Sequence, residues 1–479
     1  MDRTYGMLID GGLLSGAAHI DVVNPANGKL VARAPRADAG LVERAVTAAK
    51  RATGAWGALA FAERGAMLSQ LADGMNARFD DLAGLLTEEQ GKPLAQACHE
   101  IGGAIAALRY FAGLRIEEEI LFRSSDEKVV RHRTPLGVVV AIAPWNFPVL
   151  LMVMKLAPAL MAGNAVICKP APTTPLTTLL IGEIGEKTFP PGVLSTLVDE
   201  SDLGSVLTCH PDVAKISFTG STGTGRKVMA SAALGIKRLS LELGGNDAAI
   251  VLDDADVKTV APHIFLAATL NAGQICFAAK RVYAPALLYE RLCAELAALA
   301  RAAVVGDGRN PETEIGPIQN RQQYEKLLRY LEIAKAEGQV IVGGEALEGP
   351  GFFISPTVVR DIPDTSALVQ EEQFGPIIPI VRYEDLDQVI AQVNSGDYGL
   401  GATIWTSDPE RGLSVARRID AGVVWVNRHL ELGFDIPMSG ARQSGLGVEN
   451  GQEGLESFTQ SHIVSVRLRE ANGQGEPAQ

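Results

Sequence analysis

Two α/β units, each built on a parallel sheet, are expected of this 479-residue chain. Its length exceeds what one hydrophobic core ordinarily serves, so it divides into two or three units. Apolar residues make up 47% and charged residues 21%, the balance of a globular protein with large cores. From Thr134 onward, short β-branched apolar runs alternate with helical stretches, which is the spacing of βαβ units.

The first stretch reads as a hairpin around Asn24-Pro25-Ala26-Asn27-Gly28, turn residues between apolar flanks. Three amphipathic helices are expected at 39–52, 61–78 and 94–121, each repeating apolar residues at three- and four-residue steps. Strand and helix then alternate: strand 138–143, helix 149–161, strand 165–169, helix 177–188, strands 193–197 and 214–218, helix 223–234. The second unit begins near Leu243 with a strand at 247–251 and a helix at 261–272. It continues through Ile380, 401–405 and 422–427. Segments 123–133 and 463–468 alternate in polarity and stand apart from both units, as strands do that pair with another subunit's sheet. The last ten residues, 470–479, have the composition of a frayed end.

A net charge of −13 argues against nucleic-acid or anionic-membrane partners. The start carries no secretory pattern, and the apolar run from Val138 to Leu160 is broken by Pro144, Asn146, Pro148, Lys155 and Pro158. Strand, bend and buried helix fit that run better than a membrane span. The five cysteines are odd in number and widely spaced, without a CxxC pair. That pattern implies a reducing, cytoplasmic setting with neither disulfides nor a metal site.

Six segments carry chemistry. Thr219-Gly220-Ser221-Thr222-Gly223-Thr224-Gly225 comes after a strand and opens a helix, where glycines admit a phosphate and free N–H groups meet an anion. A plain capped turn has the same local pattern. Lys169 ends a buried strand, where α/β sheets place ligand contacts, or it simply reaches solvent. Asn146, within Pro144-Trp145-Asn146-Phe147-Pro148, needs partners, since an unsatisfied buried amide costs about 1–3 kcal/mol. It suits an oxyanion donor, or the bend's own backbone. Glu242 in Leu241-Glu242-Leu243-Gly244-Gly245 has an apolar setting that lifts a carboxyl towards the range of a general base; a structural ion pair is the alternative. Cys276, after Gly273-Gln274-Ile275 at the end of a helix, is set apart from Cys98, Cys168, Cys209 and Cys293, which read as core filler. Glu371-Glu372-Gln373-Phe374-Gly375-Pro376 joins two acids to an aromatic and a turn, as solvated loops also do.

Taken in this order, the PWNFP, KP, FTGST, LELGG, GQxC and EExFGP segments resemble the aldehyde dehydrogenase superfamily over nearly the whole chain. The 34-residue step from Glu242 to Cys276 is the family's own. The resemblance implies a Rossmann-like cofactor domain at 1–115 and 136–243, a catalytic domain at 244–447, and a small oligomerisation sheet from 116–135 and 448–479. It implies Cys276 as nucleophile, Glu242 as general base, and Asn146 with the Cys276 N–H as oxyanion hole. Lys169 would hold the adenosine ribose, and the Gly220–Ser221–Gly225 turn the pyrophosphate. Trp145 would line the cofactor cleft, and Glu372 and Phe374 would position the nicotinamide ribose and ring. The implied reaction takes an aldehyde to its acid with NAD(P), through a thiohemiacetal and a thioester hydrolysed by Glu242-activated water. Phe147, Leu151, Ile275, Phe277 and the loop 428–436 would line the aldehyde pocket, in a homodimer or homotetramer.

Two departures stand out. Relatives carry a glutamate on the ribose hydroxyls three residues after the KP lysine, and here that residue is Pro172. NAD remains the expectation, because nothing basic beyond Lys169 is evident, while NADP stays open. The usual Pro-Phe-Gly-Gly reads Pro437-Met438-Ser439-Gly440, followed by Arg442 for lysine. Three other readings compete. A CoA-acylating enzyme characteristically lacks the LELGG glutamate, a cofactor-free thioesterase has no use for the phosphate turn, and a non-enzymatic member has none for Asn146, Glu242 and Cys276 together.

Overall fold

Apolar residues on both faces of a strand demand cover on both faces, and the central strands here obey that rule. In this computed structural model, which describes residues 3–468, every residue of Val138–Ile142 and Ala165–Lys169 is buried. Val139, Ala141 and Val166 pack with the helices Phe61–Asn76, Leu94–Ala112 and Pro148–Met161. Val138, Val140 and Ile167 face the opposite core, shared with the helix Ala39–Ala58. The first sheet runs Gly445–Leu446, Arg238–Glu242, Val213–Thr219, Val138–Ile142, Ala165–Lys169, Leu194–Thr196, parallel except for the first.

The second sheet runs Gln339–Val342, Thr357–Arg360, Ile377–Tyr383, Ala279–Pro285, Asp247–Val251, Gly401–Trp405, Val423–Val426, again parallel except for its first strand. Its residues alternate between two cores in the same way, Ala248 and Ile250 towards one, Ala249 and Val251 towards the other. The expected α/β architecture with two parallel sheets is therefore present. The sheets meet where Glu242 leaves the first and the chain crosses through Gly244 and Gly245 to Asp247 in the second. A third, antiparallel sheet of Thr459–Arg467, Glu127–Pro135 and Glu119–Arg123 stands apart.

Several boundaries differ from expectation. The helix expected to 121 stops at Ala112, with Gly113 as its cap; the apolar residues beyond it, Ile120 and Phe122, belong to a strand. The single strand expected at 123–133 is a hairpin that turns at Ser124–Asp126, where the Ser124 N–H and hydroxyl bond to Glu127 and Asp126. A fourth helix, Phe79–Gln90, fills the gap between two expected ones. A short hairpin of Met7–Ile9 and Gly12–Leu14 precedes the expected one, which forms between Ala18–Val23 and Leu30–Arg36. The expected tail at 470–479 lies outside the described residues. Among those residues, no helix is long and apolar enough to cross a membrane.

Candidate active site

The helix expected to reach 272 ends at Thr269, and the turn after it makes the site. Asn271, Ala272 and Gly273 have φ of 51°, 55° and 71°, three successive residues in the left-handed region. Such a run has no intrinsic stability in L-residues and needs surroundings that over-determine it. Those surroundings are a buried amide network. Gln90 donates to the Asn271 side chain at 3.1 Å, the Asn271 N–H donates to Gln96, and Gln274 Nε2 donates back to the Asn271 carbonyl at 2.9 Å. A side chain on Gly273 would meet the Gly375 carbonyl oxygen at 2.4 Å, so only glycine lets this turn approach the EEQFG segment. The turn delivers Cys276 to the junction between the sheets.

Asn146 is pinned from three sides. Its Nδ2 donates to the Gln274 carbonyl at 2.9 Å, which commits one amide proton and leaves the other. Its backbone carbonyl accepts from Lys92 Nζ at 2.9 Å and from Asn271 at 3.1 Å. Lys92 and Glu100 form a fully buried ion pair at 2.5 Å, and the Lys92 ammonium also sits 3.7 Å from the centre of the Phe147 ring. The other Glu100 oxygen accepts from the N–H groups of Val149 and Leu150, in the first turn of the Pro148–Met161 helix. One ion pair thus fixes the helix start, the Phe147 ring and the Asn146 carbonyl. Glu100→Ala strands a buried ammonium, and the unfolding free energy should fall by about 3–5 kcal/mol in urea denaturation. A loss under about 1 kcal/mol would contradict this.

Glu242 ends its strand opposite Thr219 and is buried with both carboxylate oxygens free of any well-formed hydrogen bond. Burial pushes its carboxyl up to about 7 from the usual 4.5. The Glu449 charge adds to that rise and Lys155 opposes it. Lys155, buried in its helix, pairs with Glu449 at 2.6 Å. Cys276 is half-buried, and its thiol is raised well above the usual range, first by burial and then by the Glu242 charge, with Lys280 pulling the other way. Lys280 donates to the carbonyls of Ile275 and Cys276. At rest the thiol therefore holds its proton, beside a carboxyl poised near neutrality.

The EEQFG segment closes the other side. Glu372 accepts from the Gly245 N–H at 2.9 Å, and its other oxygen lies where a Gly244 side chain would stand, 2.5 Å away. Gln323 and Lys326 hold the backbone carbonyls of this segment. Phe374 meets Trp145 edge to face at 5.5 Å. Of the residues expected to line the aldehyde pocket, Phe147, Leu151 and Phe277 are half-buried and Ile275 is buried. Phe277 stacks edgewise on Trp425, which in turn lies against His429; the His429 Nε2 bonds the Phe277 carbonyl at 2.6 Å. Burial holds His429 down to about 4, so it is neutral.

Along the C-terminal edge of the first sheet, Ser221 caps the helix Thr222–Ala233 by accepting from the Thr224 N–H. The Gly220 N–H donates to the Glu242 carbonyl at 3.1 Å, and a side chain on Gly225 would strike Leu243 at 2.5 Å. Lys169 is buried beside Asp199. Helix-start N–H groups, the Ser221 hydroxyl and Lys169 lie along this edge, with Trp145 just beyond the strand Val138–Ile142, a set that fits a dinucleotide.

The chain matches the model of the aldehyde dehydrogenase family over residues 14–464. The chain belongs to the aldehyde dehydrogenase family. It is 38% identical to a betaine aldehyde dehydrogenase of Cereibacter sphaeroides, over 96% of each chain. Among solved structures it is similar to an NADP-dependent enzyme of Escherichia coli, with a TM-score of 0.94 at 36% identity over 97% of this chain and 98% of that one. It is also similar to the betaine aldehyde dehydrogenase of Staphylococcus aureus in complex with NAD+, with a TM-score of 0.93 at 30% identity, covering 96% of this chain and 94% of the other. As a member of the family it is an NAD(P)-dependent aldehyde dehydrogenase.

Sequence reasoning singled out Cys276, Glu242, Asn146, Glu372, Phe374 and Trp145, and all six stand around this junction. It missed Lys92, Glu100, Lys155, Lys280, Asp199 and Glu449. Of these, Lys155 alone left a signal, a charge inside an otherwise apolar helix, and it served there only as an argument against a membrane span.

Proposed function

We propose that this chain oxidises an aldehyde to its carboxylic acid through a covalent intermediate on Cys276, hydrolysed by water that Glu242 activates. The observation that carries this reading is a protonated thiol held beside a buried carboxyl that makes no well-formed hydrogen bond and is pushed up to about 7. A base at that pKa is half-ionised near neutrality and can both take and return a proton.

The thiol gives its proton to solvent water as its sulfur bonds to the aldehyde carbon, and the carbonyl π pair moves onto the oxygen. The carbonyl oxygen then carries negative charge, met by the uncommitted Asn146 proton and the Cys276 N–H, which donates to no acceptor among the described residues. NAD(P), when bound, supplies the acceptor for the hydride that leaves this carbon. Trp145, Glu372 and Phe374 are the residues of the cleft that would hold its nicotinamide end, with Ser221 and Lys169 towards the other end. A thioester on Cys276 remains. Glu242 draws a proton from water, the new oxygen bonds to the acyl carbon, the carbon–sulfur bond breaks with its electron pair going to sulfur, the sulfur takes the proton back from Glu242, and the acid leaves.

Glu242 favours water over CoA as acyl acceptor, which sets the hydrolytic reading above the acylating one. The chain divides by this reading into cofactor-binding and catalytic parts meeting at Glu242–Gly245, with the third sheet joining subunits of a cytoplasmic homodimer or homotetramer. Exposed Ile120, Leu121, Phe122 and Ile463 on that sheet support the last point. The test is a panel of aliphatic, aromatic, carboxylated and trimethylammonium aldehydes, betaine aldehyde included, scored by absorbance of the reduced cofactor. Turnover of at least one class is expected, with free acid as product. Turnover that needs CoA and yields a thioester would overturn the hydrolytic reading.

A further inference from the structure

Pro172 leaves no carboxylate on the loop after Lys169, yet one arrives from the neighbouring strand. Ala165–Lys169 and Leu194–Thr196 run parallel, so both chains emerge at the same edge of the sheet, where Asp199 meets Lys169. Their side chains are 7% and 3% exposed, for the lysine and the aspartate in turn, and Nζ lies 2.5 Å from Oδ1. Oδ2 accepts from the Leu203 N–H at 2.9 Å, which fixes the carboxylate plane. Oδ1 has charge contact with the lysine but no directed hydrogen bond to any group among the described residues. A carboxylate has about four acceptor sites, and Lys169 and Leu203 engage one oxygen each, so this buried, oriented group keeps lone pairs for a further donor.

We propose that Asp199 binds the hydroxyls of the adenosine ribose and makes the enzyme select NAD over NADP. This rests on the reading that the adenosine end of the dinucleotide lies at Lys169. A carboxylate at the C-terminal edge of parallel strands is the group that takes a ribose 2′-hydroxyl in dinucleotide-binding sheets. A 2′-phosphate would bring roughly two negative charges against it. Lys169 alone would welcome that phosphate, but its charge is already met by Asp199. The loop beyond adds Glu200 and Asp202, and these hold Arg36 at 3.2 and 2.7 Å, so that arginine is also taken. The edge therefore offers a ribose diol an acceptor and offers a phosphate no unpaired cation among these side chains. A purely architectural role, neutralising Lys169 and closing the turn to Leu203, is the competing account.

The two accounts separate in cofactor binding measured by titration calorimetry, without turnover. The wild type should bind NAD+ on the order of 100-fold more tightly than NADP+. Asp199→Ala should weaken NAD+ about tenfold, as loss of a charge-assisted hydrogen bond does, while tightening NADP+, so that the preference collapses or inverts. Asp199→Asn keeps an acceptor for Leu203 and for the ribose but removes the charge, so NADP+ should tighten with a smaller loss for NAD+. Thermal unfolding of each variant is measured alongside, and if the alanine variant does not fold the asparagine variant decides. An NAD+/NADP+ ratio unchanged within about twofold in the folded variants overturns the proposal, as does a wild type that binds both equally. Lys169→Ala tests the underlying reading. If it leaves both affinities unchanged, the adenosine is not at this edge; if it weakens them and the Asp199 variants leave the ratio alone, only the role of Asp199 falls.

Discussion

Cys276→Ala is expected to lower aldehyde-dependent formation of reduced cofactor by about 10⁴-fold or more, the scale on which removal of a nucleophile acts. Cofactor affinity and the unfolding midpoint should stay near wild type, because Cys276 is half-buried and alanine removes only its sulfur. The physical case rests on neighbours rather than on burial. Burial alone pushes Cys168 up to about 12; Cys293 also stands at about 12, pushed up first by burial, with the Arg360 cation opposing and Glu290 and Asp361 adding to the rise. Cys276 shares the burial but adds Glu242 as an adjacent base, the Lys280 cation, and an amide donor at Asn146. Cys276→Ser should also fail, since a hydroxyl is still harder to ionise in the same setting. An alanine variant that keeps turnover within about tenfold of wild type would sink the assignment. Mass spectrometry of enzyme quenched during turnover should find the acyl group on Cys276 and not on exposed Cys209.

The sequence displays this site unevenly, for reasons that lie in individual residues. Strands such as Ala165–Lys169, Asp247–Val251 and Gly401–Trp405 are buried on both faces, so their apolar runs are readable without any partner. Helix ends are set by contacts further off. The three-residue overrun beyond Thr269 arises because Asn271 and Ala272 adopt successive left-handed geometry, which asparagine tolerates singly but alanine does not favour; Gln90, Gln96 and Gln274 hold it. The overrun beyond Ala112 has a local cause, since Leu114, Ile116 and Ile120 continue a helix-like spacing past Gly113. Chemistry obeys the same division. Cys276, Glu242 and Asn146 lie in short segments whose order is distinctive. Lys92 and Glu100 sit eight residues apart on either side of a proline, and Asp199 reaches Lys169 only because two strands are adjacent. Such pairings exist in the fold and in no window of the sequence.

Glu242→Gln should leave the first turnover nearly intact and slow release of the acid by about 10²–10⁴-fold, the usual contribution of a positioned base. A burst of reduced cofactor close to one per active site, then a slow steady rate, is the expected trace. An unchanged steady rate would contradict the role. The pH dependence gives a second, independent reading. In the wild type the carboxyl must be ionised to take a proton from water, so acid release should rise with pH through about 7 and level off above it. Glutamine cannot ionise, and that step should vanish. Stability should move the opposite way. The folded carboxyl holds its proton to about 7 while an unfolded one releases it near 4.5, so the native state binds more protons across that window. Wild-type stability should therefore fall as pH rises between those values, and the glutamine variant should gain on it over the same range. The thiol reports the same coupling from its side. Because the Glu242 charge helps keep Cys276 protonated, its removal should shift the pH dependence of Cys276 alkylation to lower pH, in a direction that loss of packing alone would not produce.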